Sequence, residues 1–134
     1  MMAVTNGIHH LGLTVPNLTV TRNFLVDILG FQQVGEVPDY PAIFVSDGSI
    51  MLTLWQAIDP EKATPFDRKS NIGLHHFALK VANLEVLHTL HQTLKNTTDV
   101  IIEFAPEPLG GGTTHHMMCY IPSGIRVEFI AVGE

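Results

Sequence analysis

The chemistry in this chain is concentrated in histidine. Eight occur in 134 residues, and six of them form adjacent pairs: His9 with His10, His75 with His76, and His115 with His116. Neutral imidazole binds divalent metals and also carries protons near neutral pH. The first two pairs sit in one phrase written twice. "GIHHLGLTVPNL" opens at Gly7 and "GLHHFALKVANL" at Gly73, identical at seven of twelve positions. Such a repeat is either the structural echo of a duplicated fold or two ligands brought together by that duplication.

Strand parity selects one histidine from each pair. Side chains alternate along a strand, so His9, Leu11, Leu13 and Val15 share one face while His10, Gly12 and Thr14 share the other. The apolar face packs on helices, which leaves His10 on the open face beside Gly12, where the missing side chain leaves space. In the second copy Phe77, Leu79 and Val81 form the packed face and His76, Ala78 and Lys80 the open one. His76 is therefore the counterpart of His10. The last apolar strand offers Ile125, Val127, Phe129 and Ala131 to the interior and sets Arg126, Glu128 and Ile130 opposite. An ionised Glu128 in mid-strand is costly to desolvate unless a cation or donor meets it. Two imidazoles and a carboxylate make the 2-His-1-carboxylate pattern, which holds a divalent metal and leaves positions open for water or substrate. His10, His76 and Glu128 are the expected ligands, and Fe, Mn, Ni, Co and Zn all accept them.

The remaining histidines are weighed against plainer roles. His9 and His75 read as strand-end residues bonded to backbone or solvent, and His88 and His91 as solvated residues on a helix. His116, Met118 and Tyr120 share one strand face. His116 is the candidate acid–base group and Tyr120 a candidate catalytic and substrate-contacting residue, beside Glu128 itself. Met51, Thr53, Trp55, Met118 and Tyr120 are the candidate substrate walls, implying a ligand with a hydrophobic or planar part.

The elements that must carry these residues are legible as well. Each copy of the repeat alternates like a half-buried strand and ends at an Asn, Asn17 or Asn83, suited to cap a helix. Val20, Phe24, Leu25, Ile28 and Leu29 then recur at helical spacing, with Gly30 placed to end the helix. Leu84, Leu87, Leu90 and Leu94 do the same in the second half. Three strand-like pieces follow each helix: "FQQVGEV", "AIFVSD" and "SIMLTLWQA", then "VIIEF", "HHMMCYI" and "IRVEFIAV". The prediction is strand, helix and three strands, twice, within a single domain over residues 1–134. The first module spans about residues 7–58, a polar linker about 59–71, and the second module about 72–132. "PEPLGGG", residues 106–112, reads as a mobile flap and not as a phosphate cradle, because no Lys or helix follows it.

Composition narrows the partners. With 46% hydrophobic and 15% charged residues the chain suits one compact domain. A net charge of −6 and seven unclustered Lys and Arg offer phosphates no basic track, so nucleic acid is not expected. The opening "MMAVTNG" has neither a basic start nor an apolar signal core, and no run is long enough to span a bilayer. The expected location is the cytoplasm, with no membrane partner. The single Cys119 reads as a packed small residue.

With these residues in hand, the chain resembles the vicinal oxygen chelate superfamily, the glyoxalase, bleomycin-resistance and extradiol dioxygenase group. "HLGLTVPNL", "NFLVDILGF", "HHFALKVANL" and "CYIPSGIRVEFI" are similar to its motif blocks across residues 7–132. The resemblance implies an α+β fold of two βαβββ modules forming a mixed, U-shaped eight-stranded sheet around a metal cleft, and a homodimer, with modules exchangeable between chains. It implies ligands at His10, His76 and Glu128. The glyoxalase I pattern has a fourth ligand late in the first module; Thr53 stands there, and Gln56 falls on the opposite parity. Three functions follow as expectations. The first is a lyase- or isomerase-like enzyme in which a divalent ion chelates two neighbouring oxygens of a small substrate and stabilises an enolate-like or oxyanion intermediate. The second is an Fe(II) extradiol-type ring-cleaving dioxygenase. The third is a non-catalytic protein that binds a drug-like small molecule.

Overall fold

A computed structural model describes residues 2–133; Met1 and Glu134 lie outside the described residues. The chain divides into two compact units between Ala63 and Thr64, within the polar linker. The fold is α+β, each unit being a βαβββ module with its own four-stranded sheet. Among the described residues no helix is long and apolar enough to cross a membrane.

In the first unit β1 (His10–Val15) leads through Asn17 to α1 (Leu18–Asn23). The Asn17 side chain accepts the Val20 N–H at 3.1 Å, satisfying a donor that the first helical turn leaves open. The helix then widens into a π-helical turn over Phe24–Ile28, where the Leu29 N–H reaches back to the Phe24 carbonyl. Gly30, at φ +81, closes it. β2 (Gln32–Val37), β3 (Ala42–Ser46) and β4 (Met51–Gln56) complete a sheet ordered β1-β4-β3-β2. β1 and β4 run parallel, with Leu13 opposite Leu54, while the other pairs are antiparallel. Leu13, Val15, Phe24, Leu25, Leu52 and Leu54 are all buried, so the apolar strand face meets the helix. Gln56 secures the strand-to-helix junction: its side chain accepts the Leu18 N–H at 2.9 Å and donates to the Pro16 carbonyl at 2.8 Å.

The second unit repeats the plan. β5 (Phe77–Lys80) leads to α2 (Leu84–Lys95), where the Asn83 side chain accepts the Val86 N–H at 2.9 Å. β6 (Ile101–Pro108), β7 (His115–Tyr120) and β8 (Arg126–Ala131) follow, in the sheet order β5-β8-β7-β6. Again the first and last strands are parallel, with Leu79 opposite Phe129. Leu87 and Leu94 of α2 are fully buried, as are Met117 and Cys119 of β7, with Val127 and Phe129 of β8 almost so. Leu84, at one end of the helical stripe, is 37% exposed and does not join them.

One segment differs from its sequence reading. Residues 106–108, assigned to a glycine-rich flap, extend β6, and only a tight connection remains, with Leu109 N–H donating to the Thr114 carbonyl at 2.9 Å. Pro106 is tolerated because β6 is an edge strand and its register shifts between Phe104 and Glu107, so no ladder N–H is needed there.

Cys119 packs in the interior of β7, and burial pushes its thiol up to about 12. The thiolate is the reactive form. Native protein at pH 8 is therefore expected to react with iodoacetamide more than ~100-fold slower than a free thiol, and to regain ordinary reactivity in denaturant. Fast labelling of the folded chain, read by mass spectrometry, contradicts this placement.

Candidate functional site

In the second unit register gathers the chemistry on one face of the sheet. Directly opposed residues of paired strands project to the same side. β7 and β8 oppose His116 with Ile130, Met118 with Glu128, and Tyr120 with Arg126, so His116, Met118 and Tyr120 share the face of Glu128. On the other flank of β8, Ala78 lies opposite Glu128, and its small side chain leaves room there for His76, two residues earlier.

Glu128 is 8% exposed, and both of its oxygens are met. His76 Nε2 lies 3.1 Å from Oε1, and His116 Nδ1 lies 2.7 Å from Oε2. The His116 ring also sets its edge against Phe104, with centroids 4.9 Å apart. The two imidazoles address different oxygens and so approach from different sides. Among the described residues, no three His, Cys, Asp or Glu side chains are already gathered as a metal cage.

A second cluster adjoins the first, and it escaped the sequence reading. Arg126 is 7% exposed and forms a two-pronged pair with Glu103, Nε to Oε1 at 2.9 Å and Nη2 to Oε2 at 2.8 Å. Arg68 also binds Glu103. Tyr120 donates its hydroxyl to the same carboxylate at 3.1 Å and accepts from Arg68 at 3.1 Å. Arg126 above all, helped by Tyr120 and Arg68, holds the Glu103 carboxyl at about 2, and Glu103 in turn raises Arg126. A groove of about 300 Å³ opens beside Tyr120, lined also by Phe66, Asp67, Arg68 and Lys69. The signal for this cluster lay in Arg126 between Ile125 and Val127: a cation in an apolar strand requires a carboxylate just as Glu128 requires a donor.

In the first unit His10 begins β1 opposite Met51, on the exposed parity with Gly12 and Thr14. The open space expected beside Gly12 is filled. A side-chain carbon there would lie 3.2 Å from the Thr53 hydroxyl and 3.5 Å from the Trp55 indole nitrogen. Thr53 is 4% exposed, and its hydroxyl accepts the Trp55 Nε1–H at 2.9 Å. Trp55 packs edge-on to Tyr40 with centroids 4.5 Å apart, and Phe44 lies 5.9 Å from it. Met51 is half-buried, whereas Met118 of the second unit is buried. Gln56, the other residue weighed for a fourth ligand, is committed to the β1–α1 junction.

His9 and His75 are not bonded to backbone or to solvent alone. Each brings its Nδ1 against the Nδ1 of the next residue, 2.9 Å from His10 and 2.6 Å from His76. A strand-end reading missed this because it treated the two rings of a pair as facing apart.

Comparison with known proteins places the fold. The family described as the Glyoxalase/Bleomycin resistance protein/Dioxygenase superfamily matches residues 7–129. The chain belongs to this superfamily. A search of curated proteins returned no match. Solved structures of the superfamily fold superpose over nearly the whole chain. A glyoxylase/bleomycin resistance protein/dioxygenase domain from Frankia sp. EAN1pec gives a TM-score of 0.82 at 19% identity, covering 96% of this chain and 99% of that one. The fosfomycin resistance protein FosX from Listeria monocytogenes gives 0.74 at 18% identity, covering 97% and 96%. A lactoylglutathione lyase from Agrobacterium tumefaciens gives 0.69 at 19% identity, covering 96% and 95%. At these identities the superfamily likeness establishes the fold alone.

Proposed function

We propose that the chain is a metal-dependent enzyme of lyase or isomerase type, with His10, His76 and Glu128 as the ligands of one divalent ion. The observation that carries this reading is the pairing of His76 Nε2 with Glu128 Oε1 at 3.1 Å. At that spacing the imidazole nitrogen and the carboxylate oxygen are close enough that both could serve as ligands of one ion. Imidazole nitrogen and carboxylate oxygen are also the donor types that Fe, Mn, Ni, Co and Zn share. His10, the counterpart of His76 in the repeat, completes the set on sequence grounds.

Held by His10, His76 and Glu128, a divalent ion would supply Lewis acidity for a small oxygen-bearing substrate. The chain's own part is to orient and to limit. His116 holds Oε2 of Glu128 at 2.7 Å and so directs Oε1 towards His76. Thr53, with its hydroxyl engaged by Trp55, leaves the ligand set at three protein groups. The lyase or isomerase reading is preferred over ring cleavage because His116 and Tyr120, its nearest acid–base candidates, are each committed to a carboxylate. A screen of hemithioacetals, catechols and 2-oxo or CoA esters tests the proposal. The expected result is product from one class, dependent on one added metal and abolished by His76→Ala. Small-molecule binding that survives both metal removal and His76→Ala would support sequestration instead.

A further inference from the structure

The repeated His-His spacing contains one histidine more per copy than the proposed ligand set uses. Resting on that metal reading, we infer that His75, and His9 in the first copy, are positioning residues: each shares a single proton with the next ring through Nδ1, holding that ring's Nε2 in line while letting it be either protonated or bare.

The geometry limits each pair to one bridging proton. At 2.6 Å, two bare Nδ1 atoms would oppose lone pairs and two protonated ones would oppose hydrogens, so one ring donates and the other accepts. The rings are steeply inclined, at 67° in the second copy and 85° in the first, so the contact is edge to edge and not a stack. Arg126 Nη1, which can only donate, lies 3.4 Å from His75 Nδ1 and 3.5 Å from His76 Nδ1. The same contact forms at 2.9 Å in the first copy, where Met51 occupies the strand position opposite His10. The pairing therefore belongs to the His-His spacing and not to the arginine.

A histidine does here what a carboxylate or carbonyl cannot. With no cation at Nε2, His76 donates Nε2–H to Glu128 Oε1, and its bare Nδ1 accepts from His75 Nδ1–H. When Nε2 is taken as a ligand, its proton leaves to solvent. The bridging proton then passes to His76 Nδ1, and His75 takes a proton from solvent on its own Nε2. No proton is gained or lost overall, and the ring need not turn. An acceptor-only partner would support the second state and oppose the first.

Nitrogen-15 NMR of the metal-free and zinc-loaded chain reads both tautomers directly. In metal-free protein at pH 7.5, His75 is expected as the Nδ1–H form and His76 as the Nε2–H form, and zinc inverts both. His75→Phe should release His76 to a mixed tautomer and weaken zinc binding about 10-fold, while His75→Gln, whose amide can donate and accept, should restore most of it. A freely averaging His75 in the metal-free chain overturns the inference. A locked metal-free pair whose signals ignore zinc leaves the positioning role standing and overturns the metal reading.

Discussion

Replacing Glu128 with glutamine is expected to weaken divalent-ion binding by at least about 100-fold while the fold persists. The glutamine keeps the shape of the side chain between Val127 and Phe129 but loses the charge, and its amide nitrogen can only donate. It can satisfy His76 or His116 through its one oxygen, not both as the carboxylate does at 3.1 Å and 2.7 Å. Calorimetric titration of tag-free protein with Mn(II) measures the change, with circular dichroism confirming the fold. His116→Gln should cost only about 10-fold, because it removes an orienting contact and leaves the donor in place. Equal losses from the two variants would mean that Glu128 is no more a ligand than its neighbour.

The second large effect concerns stability. Glu103→Ala is expected to cost about 3 kcal/mol, because it strands Arg126, a 7% exposed guanidinium, without its carboxylate. The melting temperature should fall by roughly 10 °C. Arg68 and Tyr120 lose the same acceptor, so the β6–β7–β8 side of the second unit loosens together. The pH dependence has a defined sign. Glu103 lies at about 2 in the folded chain against an ordinary 4.5, so the carboxylate's contribution is complete above about 4.5 and disappears as pH falls towards about 2. The difference in stability between wild type and Glu103→Ala, followed by thermal melts, should therefore shrink across that acid window. A difference independent of pH from 6 to 2.5 would show that the side chain acts by packing and not by charge.

Much of this architecture could be read before any coordinate was known, and the reasons are local. Asn17 and Asn83 cap helices because a short amide can reach the N–H three residues on, and the repeat writes that signal twice. The alternation in β1 and β5 shows which side of each strand is packed: Leu13 and Leu79 are buried, and a one-residue slip would have put them in water. What could not be read was long-range pairing. Nothing within "VIIEF" says that Glu103 will meet Arg126, because that contact depends on the register shifts of β6 against β7. Pro106 was misread for a related cause: proline punctuates loops in general, yet an edge strand with an irregular ladder accepts it. Thr53 was legible only as a neutral residue at the fourth ligand position; its bond to Trp55, two residues along the same strand, lies in rotamers that spacing does not encode. The paired histidines are visible in the sequence, but parity considers each residue alone and so misses the contact between the two rings of a pair.

The most direct measurement is X-ray absorption spectroscopy of the tag-free chain loaded with zinc. One ion per chain, coordinated by two imidazoles and a carboxylate, with one imidazole lost in His10→Ala and one in His76→Ala, is the predicted result. A spectrum unchanged by either substitution, or loading well below one ion per chain, would contradict it.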